Sequence, residues 1–157
     1  MNKGKPMVVP ANGGRKILVL GNEIEVKLGC AESAGTLFIF ENTTPAGDGV
    51  PPHVHTREDE VVHVLEGEYE IYLDGKTYTA KAGAVANFPR NVVHGFRNVS
   101  AAPARAMFIV TPGENFESFF REMSAVDPSM PADMEKVAAV FSKYGLPIEL
   151  PVGAAAA

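Results

Sequence analysis

Short runs of β-branched and aromatic residues, each ended by Gly, Pro or Asn, recur along the chain from Lys16 to Thr111. Such runs at regular spacing, without intervening helical segments, are typical of an all-β sandwich or barrel. Among them, Asp74-Gly75 predicts a tight hairpin, because a type I′ turn needs positive φ at both central residues. The predicted strands cover residues 16–20, 23–28, 36–40, 61–65, 69–73, 76–80, 95–99 and 104–110.

The pattern changes after Pro112-Gly113, where apolar residues begin to recur at helical spacing. It predicts one helix within ENFESFFREM and a second from Pro131 to Tyr144, with Gly145 after its last turn. We expect both helices to pack outside the β domain; the alternative is a cap over a ligand-binding mouth. The apolar stripes are Phe116, Phe119, Phe120 and Met123, and Met134, Val137, Phe141 and Tyr144.

The length of 157 residues suits one domain with extensions. We predict a flexible N-terminal arm over 1–15, a β-barrel over 16–111, a helical extension over 112–150 and a tail over 151–157. No apolar run approaches the roughly 18 residues of a membrane span, and the N-terminus lacks the apolar stretch of a secretory signal.

Charge and cysteine content narrow the class of protein further. A net charge of −5 provides no basic face for nucleic acid. Cys30 is the single cysteine, so an internal disulfide is impossible, which fits a reducing compartment. We expect a cytoplasmic protein that binds neither nucleic acid nor membrane, in which Cys30 is a small buried residue without an activated thiolate.

The segment PPHVHTREDE, residues 51–60, holds two of the four histidines. Alternate residues of a strand share one face, so His53 and His55 present their imidazoles side by side. Glu60 opens the next strand and can point back at them. Imidazole and carboxylate groups that converge in this way form a site for a divalent metal. A distant histidine should complete it, and His94 is the candidate.

The neighbouring polar residues are expected to lie outside this site. His63 falls on the opposite face of its strand from Glu60. Glu58 and Asp59 are interpreted as turn residues in solvent. The two arginines nearest the site, Arg57 and Arg90, are interpreted as surface residues, and both lie in predicted turns.

These residues and the glycines around them resemble the two motifs of the cupin superfamily. Gly47, His53, His55, Glu60 and Gly67 have the spacing of the first motif. The second motif departs from the family pattern only at Asn91, where the family has glycine, and asparagine tolerates the left-handed backbone that this position needs. The second-motif residues are Gly83, Pro89, Asn91, His94 and Asn98.

The resemblance implies a jelly-roll β-barrel with a metal inside its wider end, held by His53, His55, Glu60 and His94. The short interval between the motifs and the helical tail are similar to small single-domain bacterial cupins likened to quercetin 2,3-dioxygenase. In that family the ligand glutamate deprotonates a flavonol, dioxygen cleaves the ring, and carbon monoxide leaves. Cupins also commonly form homodimers, and we expect one here.

The ligand set fixes neither the metal nor the reaction. Imidazoles and a carboxylate suit Fe, Mn, Ni, Co, Cu or Zn. Glu60 is the natural base, because it is the carboxylate of the set. We expect a dioxygenase that acts on a metal-chelated enol or flavonol-like aromatic substrate. The alternatives are non-oxidative isomerase, lyase or cyclase chemistry, and a binding module without turnover.

The residues that share a face with the ligands predict an apolar pocket wall. Val62 and Val64 lie on the face of Glu60, and Phe96 lies on the face of His94, if both strands are regular. Cations that would face a phosphate or dicarboxylate are scarce near the motifs. The predicted substrate is therefore an apolar or aromatic small molecule.

Overall fold

The structure is a computed structural model that describes residues 3–127, 129 and 132–149. These residues form ten strands and three helices, which confirms the predicted β fold with two C-terminal helices. The strands are β1 (Arg15–Val19), β2 (Asn22–Leu28), β3 (Phe38–Thr44), β4 (Gly49–His53), β5 (Asp59–Glu66), β6 (Glu68–Leu73), β7 (Lys76–Lys81), β8 (Val85–Phe88), β9 (His94–Asn98) and β10 (Ala104–Thr111). The helices are α1 (Cys30–Ser33), α2 (Phe116–Ser124) and α3 (Met134–Lys143).

The strands form two antiparallel sheets that face each other. The larger sheet has the order β1-β2-β3-β10-β5-β8, and the smaller one has the order β4-β9-β6-β7. Residues paired across neighbouring strands share a face, so Phe40, Phe108 and Val62 lie in one row across the inner side of the larger sheet. All three are buried, so the core lies between the two sheets.

The predicted hairpin is present, with Asp74 and Gly75 both at positive φ and joining β6 to β7. Two strands were not predicted from the sequence, β4 and β8. Two prolines in β4 favoured an extended approach rather than a ladder. Proline has no backbone N–H to donate to a neighbouring strand. The two prolines are tolerated because β4 is the edge strand of the smaller sheet and is not paired with strands of that sheet on both sides.

The two C-terminal helices follow their predicted stripes. Every stripe residue of α2 is buried, as are Val137 and Phe141 of α3, whereas Met134 is 53% exposed at the first residue of α3. Asp133 caps α3 by accepting a hydrogen bond from the Lys136 amide, and Gly145 ends it at positive φ. The predicted start at Pro131 and the predicted tail over 151–157 lie outside the described residues.

Both helices lie outside the barrel wall, but they cover its open end. The ring of Phe120 in α2 lies 4.9 Å from that of Phe40, an inward-facing residue of β3. Side chains of both helices line a cavity between the sheets. The helices therefore form the cap that the sequence left as an alternative. Among the described helices, none has both the length and the apolar character needed to cross a membrane.

Candidate metal centre

Three histidine rings meet at the covered end of the barrel. His53 ends β4 and pairs with His94, the first residue of β9, and His55 follows two residues after His53. The ring centroids lie 4.5 Å apart for His53 and His94, 4.7 Å for His55 and His94, and 5.0 Å for His53 and His55. One ring nitrogen of each lies within 4.8 Å of the others, and all three rings are buried.

Glu60 reaches the same point from the opposite sheet. Its Oε2 lies 3.4 Å from Nε2 of His94 and 4.0 Å from Nε2 of His55. Glu60 is buried on the inner face of β5, beside Phe88 of β8. The structure thus brings the nitrogens of the three histidines within metal-binding distance of one another and places Glu60 beside two of them.

Backbone contacts fix which ring nitrogens face one another. Nδ1 of His53 lies 2.9 Å from the Pro51 carbonyl oxygen, and Nδ1 of His94 lies 2.9 Å from that of Val92. A ring nitrogen beside a carbonyl oxygen is the protonated one, so Nε2 of each ring turns a lone pair toward the cluster. Carbonyl support of this kind is usual behind metal-binding histidines.

Within the part of the chain that the structure describes, Nε2 of His94 and Nδ1 of His55 have no hydrogen-bond partner. Nε2 of His53 lies 3.0 Å from Nε2 of His55. Burial, reinforced by the neighbouring histidines, lowers the pKa of His53 to about 3 and that of His55 to about 2. Both rings are therefore neutral near pH 7, the form that binds metal, and the donor set fits a divalent cation.

The loop before β9 has the backbone that the second motif requires. Asn91, which stands where the family has glycine, adopts φ +64° and donates its backbone N–H to the His55 carbonyl oxygen at 2.8 Å. Gly95 lets the backbone of β4 approach, because a Cβ there would lie 2.9 Å from Pro52 N. Asn98 is fully buried and its Nδ2 donates to the Thr44 and Ala102 carbonyl oxygens. It is thus structural.

Residues 145–149 pair with residues 52–56, which carry His53 and His55, on the side opposite β9. The N–H of Val54 donates to the Pro147 carbonyl oxygen at 3.1 Å, and the N–H of Thr56 donates to that of Gly145 at 2.9 Å. His53 also forms an isolated bridge with Ile148. No motif in the sequence pointed to this contact, because backbone hydrogen bonds carry no side-chain signature.

The cavity beside the histidines has a volume of about 270 Å³. His53, His55 and Glu60 lie in its wall, together with aromatic residues of both sheets and of α2 and α3. The phenylalanine side chains that line it are Phe40, Phe96, Phe108, Phe116, Phe119, Phe120 and Phe141. This wall is mostly apolar, with few polar groups at defined places.

The predicted pocket wall is accurate for one residue of three. Phe96 lines the cavity, whereas Val62 and Val64 are not among its lining residues and are buried in the core. All three point inward, but the rings of Phe96 and Phe108, with centroids 5.3 Å apart, fill the space between the sheets. These rings form the cavity surface in place of the two valines.

The interpretation of Glu58 as a solvent-exposed turn residue is wrong. Glu58 is 1% exposed, and its Oε1 accepts a hydrogen bond from Asn115 Nδ2 at 3.0 Å. Burial raises the pKa of this carboxyl. Since Asn115 directly precedes α2, the contact joins the loop of the metal site to the helical cap. The charge of Glu58 favoured an exposed position, and the local sequence contained no sign of burial, because its partner Asn115 and helix α2 are distant in the chain.

His63 and Arg90 lie where the sequence suggested, whereas Asp59 is the half-buried first residue of β5 instead of a turn residue in solvent. His63 is half-buried on the outer face of β5, opposite Met107, and does not join the histidine cluster. Asp59 pairs with the exposed Arg90 at 2.8 Å. Cys30 is half-buried with its Sγ donating to the Gly113 carbonyl oxygen, and burial raises the pKa of its thiol.

Comparison with known proteins agrees with this site. The family model described as "Cupin domain" matches residues 34–110, a span that contains all four clustered side chains. Residues 34–110 thus form a cupin domain. Its backbone is similar to that of KdgF from Halomonas sp., with a TM-score of 0.62 and 17% identity over 69% of this chain and 94% of that one. This likeness concerns the fold alone.

Two curated relatives carry names that describe activity. A polyketide synthase, CurC of Streptomyces cyaneus, is 36% identical over 66 residues, 42% of this chain and 43% of that protein. Quercetin 2,3-dioxygenase of Bacillus subtilis is 32% identical over 93 residues, 59% of this chain and 27% of that protein. The aligned region thus spans less than half of either relative.

Proposed function

We propose that this protein is a metal-dependent cupin enzyme, a dioxygenase that acts on the enol or flavonol-like form of an aromatic substrate. The observation that carries the proposal is the placement of the histidine cluster in the wall of a capped cavity lined by aromatic rings. A divalent ion held by His53, His55, Glu60 and His94 would act as a Lewis acid toward a substrate oxygen. The similarity to a quercetin 2,3-dioxygenase supports this class of reaction.

Glu60 is the residue best placed to move a proton. It is the carboxylate of the cluster, and its Oε2 lies 3.4 Å from Nε2 of His94. A substrate hydroxyl that enters beside the histidines lies within reach of this oxygen and can transfer its proton to it. His53 and His55 are less suited to this role, because burial lowers the pKa of both rings and so makes them poor proton acceptors.

The helical cap holds the substrate and limits the access of water. The ring of Phe141 in α3 stands edge-on to His53 at 5.7 Å, and the ring of Phe116 in α2 lies 5.6 Å from that of His55. A flat aromatic molecule beside the histidines would contact these rings with a large apolar area. Exclusion of water protects a reactive substrate anion from side reactions.

A second candidate is non-oxidative chemistry on the same substrate class: cyclisation, isomerisation or lyase action. The partial similarity to a protein named as a polyketide synthase favours it, since the same Lewis acid and base serve an enol without dioxygen. A third candidate is a binding module that holds metal and ligand without turnover.

Oxygen consumption by the Fe, Mn, Ni and Co forms with quercetin and with aromatic 1,3-diketones separates these candidates. For a dioxygenase, Glu60→Gln should retain metal but lose at least about 100-fold in rate, the usual contribution of a general base. His94→Ala should lose metal and activity together. His63→Ala is the matched control and should behave as the unmodified protein.

Two outcomes would contradict the dioxygenase. Product formed equally fast under argon assigns the protein to the second candidate. Metal-dependent binding of quercetin with neither oxygen consumed nor product formed, in all four metal forms, assigns it to the third.

A further inference from the structure

Two polar residues, Asn42 and Thr44, follow two phenylalanines in the inward-facing row of β3. This row consists of Phe38, Phe40, Asn42 and Thr44, all buried. Asn42 is 5% exposed, lines the cavity, and has no hydrogen-bond partner for Oδ1 within the described residues. An unpaired buried amide oxygen has lost its hydrogen bonds to water without a replacement, so a group that fulfils only a structural role would normally be paired.

The nearby polar residues are paired, in contrast to Asn42. Thr44, the next inward residue, accepts a hydrogen bond from Tyr69 Oη at 3.1 Å. Asn22 and Asp48, which line the same cavity, bond to each other at 2.9 Å. Asn42 is therefore the cavity-lining group outside the metal centre whose buried oxygen is left without a partner among the described residues.

Strand register gives the separation between Asn42 and the metal centre. Asn42 pairs with Ala106 of β10, and Glu60 pairs with Val110 of the same strand. These two levels of β10 are four residues apart, which corresponds to about 13 Å along the strand. Midway between them lie Phe40 and Phe108, whose rings are stacked at 4.9 Å with an interplanar angle of 4°.

We propose that Asn42 is a specificity-determining residue that accepts a hydrogen bond from a hydroxyl at the far end of an elongated aromatic substrate. The substrate class is a polyphenol or aromatic polyketide with enol oxygens at the histidine end, a flat body against the phenylalanines, and a phenolic hydroxyl at Asn42. This inference rests on the proposed function for the histidine end of the molecule. The phenol supplies the donor that the buried oxygen lacks.

The test is anaerobic equilibrium binding of three flavonols to the metal-loaded protein. The probes are 3-hydroxyflavone and its two derivatives with one further hydroxyl, at the 7-position or at the 4′-position. One derivative should bind about 10-fold more tightly than the parent, the contribution of one well-placed hydrogen bond. Asn42→Leu should abolish this preference, so that the three flavonols bind this variant with affinities within about 2-fold of one another. Thr43→Val, on the outer face of the same strand, is the matched control and should keep the preference.

Several results would overturn the assignment of Asn42. These are equal binding of all three flavonols to the unmodified protein, a preference that survives Asn42→Leu, or an equal loss for all three probes. Asn42→Ala tests the same loss of preference if Asn42→Leu does not fold. The comparison of the three flavonols in the unmodified protein tests the assignment without any variant. If the parent flavonol binds equally well with and without metal, the proposed function fails instead. If the unmodified protein binds the flavonols only with metal but shows no preference among them, the assignment of Asn42 fails and the proposed function stands.

Discussion

The metal end of the cavity and its helical cap differ in the forces that hold them. At the metal end, backbone carbonyl oxygens orient His53 and His94, and three of the four clustered residues, His53, Glu60 and His94, lie on strands that are paired by ladder hydrogen bonds. The cap packs mainly through aromatic rings, as between Phe119 and Phe141 at 5.1 Å. Hydrogen bonds fix the direction of each lone pair, whereas apolar contact is non-directional.

This difference predicts how metal binding and helix packing should respond to substitutions in each part. A metal site requires donor atoms in fixed positions, and small errors of direction weaken it. A cap of apolar side chains tolerates movement as long as its rings stay buried. Damage to the cap should therefore leave the metal in place, and damage to a ligand should leave the cap folded.

The largest expected effect is on the cap. Phe141 is buried between Phe119 and His53, so Phe141→Ala should reduce the local stability of α3 by about 3–5 kcal/mol. Hydrogen exchange of the α3 amides measures this loss, and metal analysis should show unchanged metal content. Met134→Ala, at an exposed position of the same helix, is the control. Loss of metal in Phe141→Ala would show that cap and site are not separable.

The complementary change is at the metal end. His94→Ala removes a donor from the cluster and should weaken metal binding by more than about 100-fold, since even residues that only support ligands contribute about 10–100-fold. Competition with a chromophoric chelator gives the affinity. His63→Ala should retain full affinity, because its ring lies on the outer face of β5. Equal losses in both variants would count against the assigned cluster.

The pH dependence of the metal-free protein offers a finer comparison. The pKa of His53 is lowered to about 3 and that of His55 to about 2, both below the ordinary value of 6.5. Below pH 6.5 the unfolded chain takes up protons that these rings in the folded protein do not. Stability should therefore decrease from pH 6.5 toward pH 3 by up to about 1.4 kcal/mol per pH unit for each histidine.

Denaturant unfolding at several pH values measures this slope. A double variant, His53→Ala with His55→Ala, should lose most of it, whereas His63→Ala should keep it. An unchanged slope in the double variant would mean that other groups cause the pH dependence.

The smallest effect is expected where the two regions meet. Burial raises the pKa of Glu58, so the folded protein favours the protonated form and loses stability as the pH rises above 4.5. Glu58→Gln keeps an acceptor for Asn115 without a charge. It should raise the free energy of unfolding at pH 8 and have little effect at pH 4, because glutamine cannot take the charged form that burial disfavours. A loss of stability at pH 8 would show instead that the charge itself is needed.

Local sequence determined eight of the ten described strands, the hairpin at Asp74-Gly75 and the set of clustered side chains. His53 ends β4 and His55 follows two residues later, a spacing that brings both rings to the cluster, and Asn91 supplies the left-handed backbone before His94. These features depend on residues close in the chain or on a spacing that the family motif fixes, which is why the sequence alone was sufficient to predict them.

Only the tertiary structure decided where the helices lie, and with them the burial of Glu58 and the form of the cavity. The apolar stripes of α2 and α3 predict that a face is buried but not against which surface, because hydrophobic contact has no direction. The unpaired oxygen of Asn42 likewise depends on neighbours contributed by distant strands and helices. Long-range packing thus settled the shape of the cavity around a cluster of side chains that the sequence had already identified.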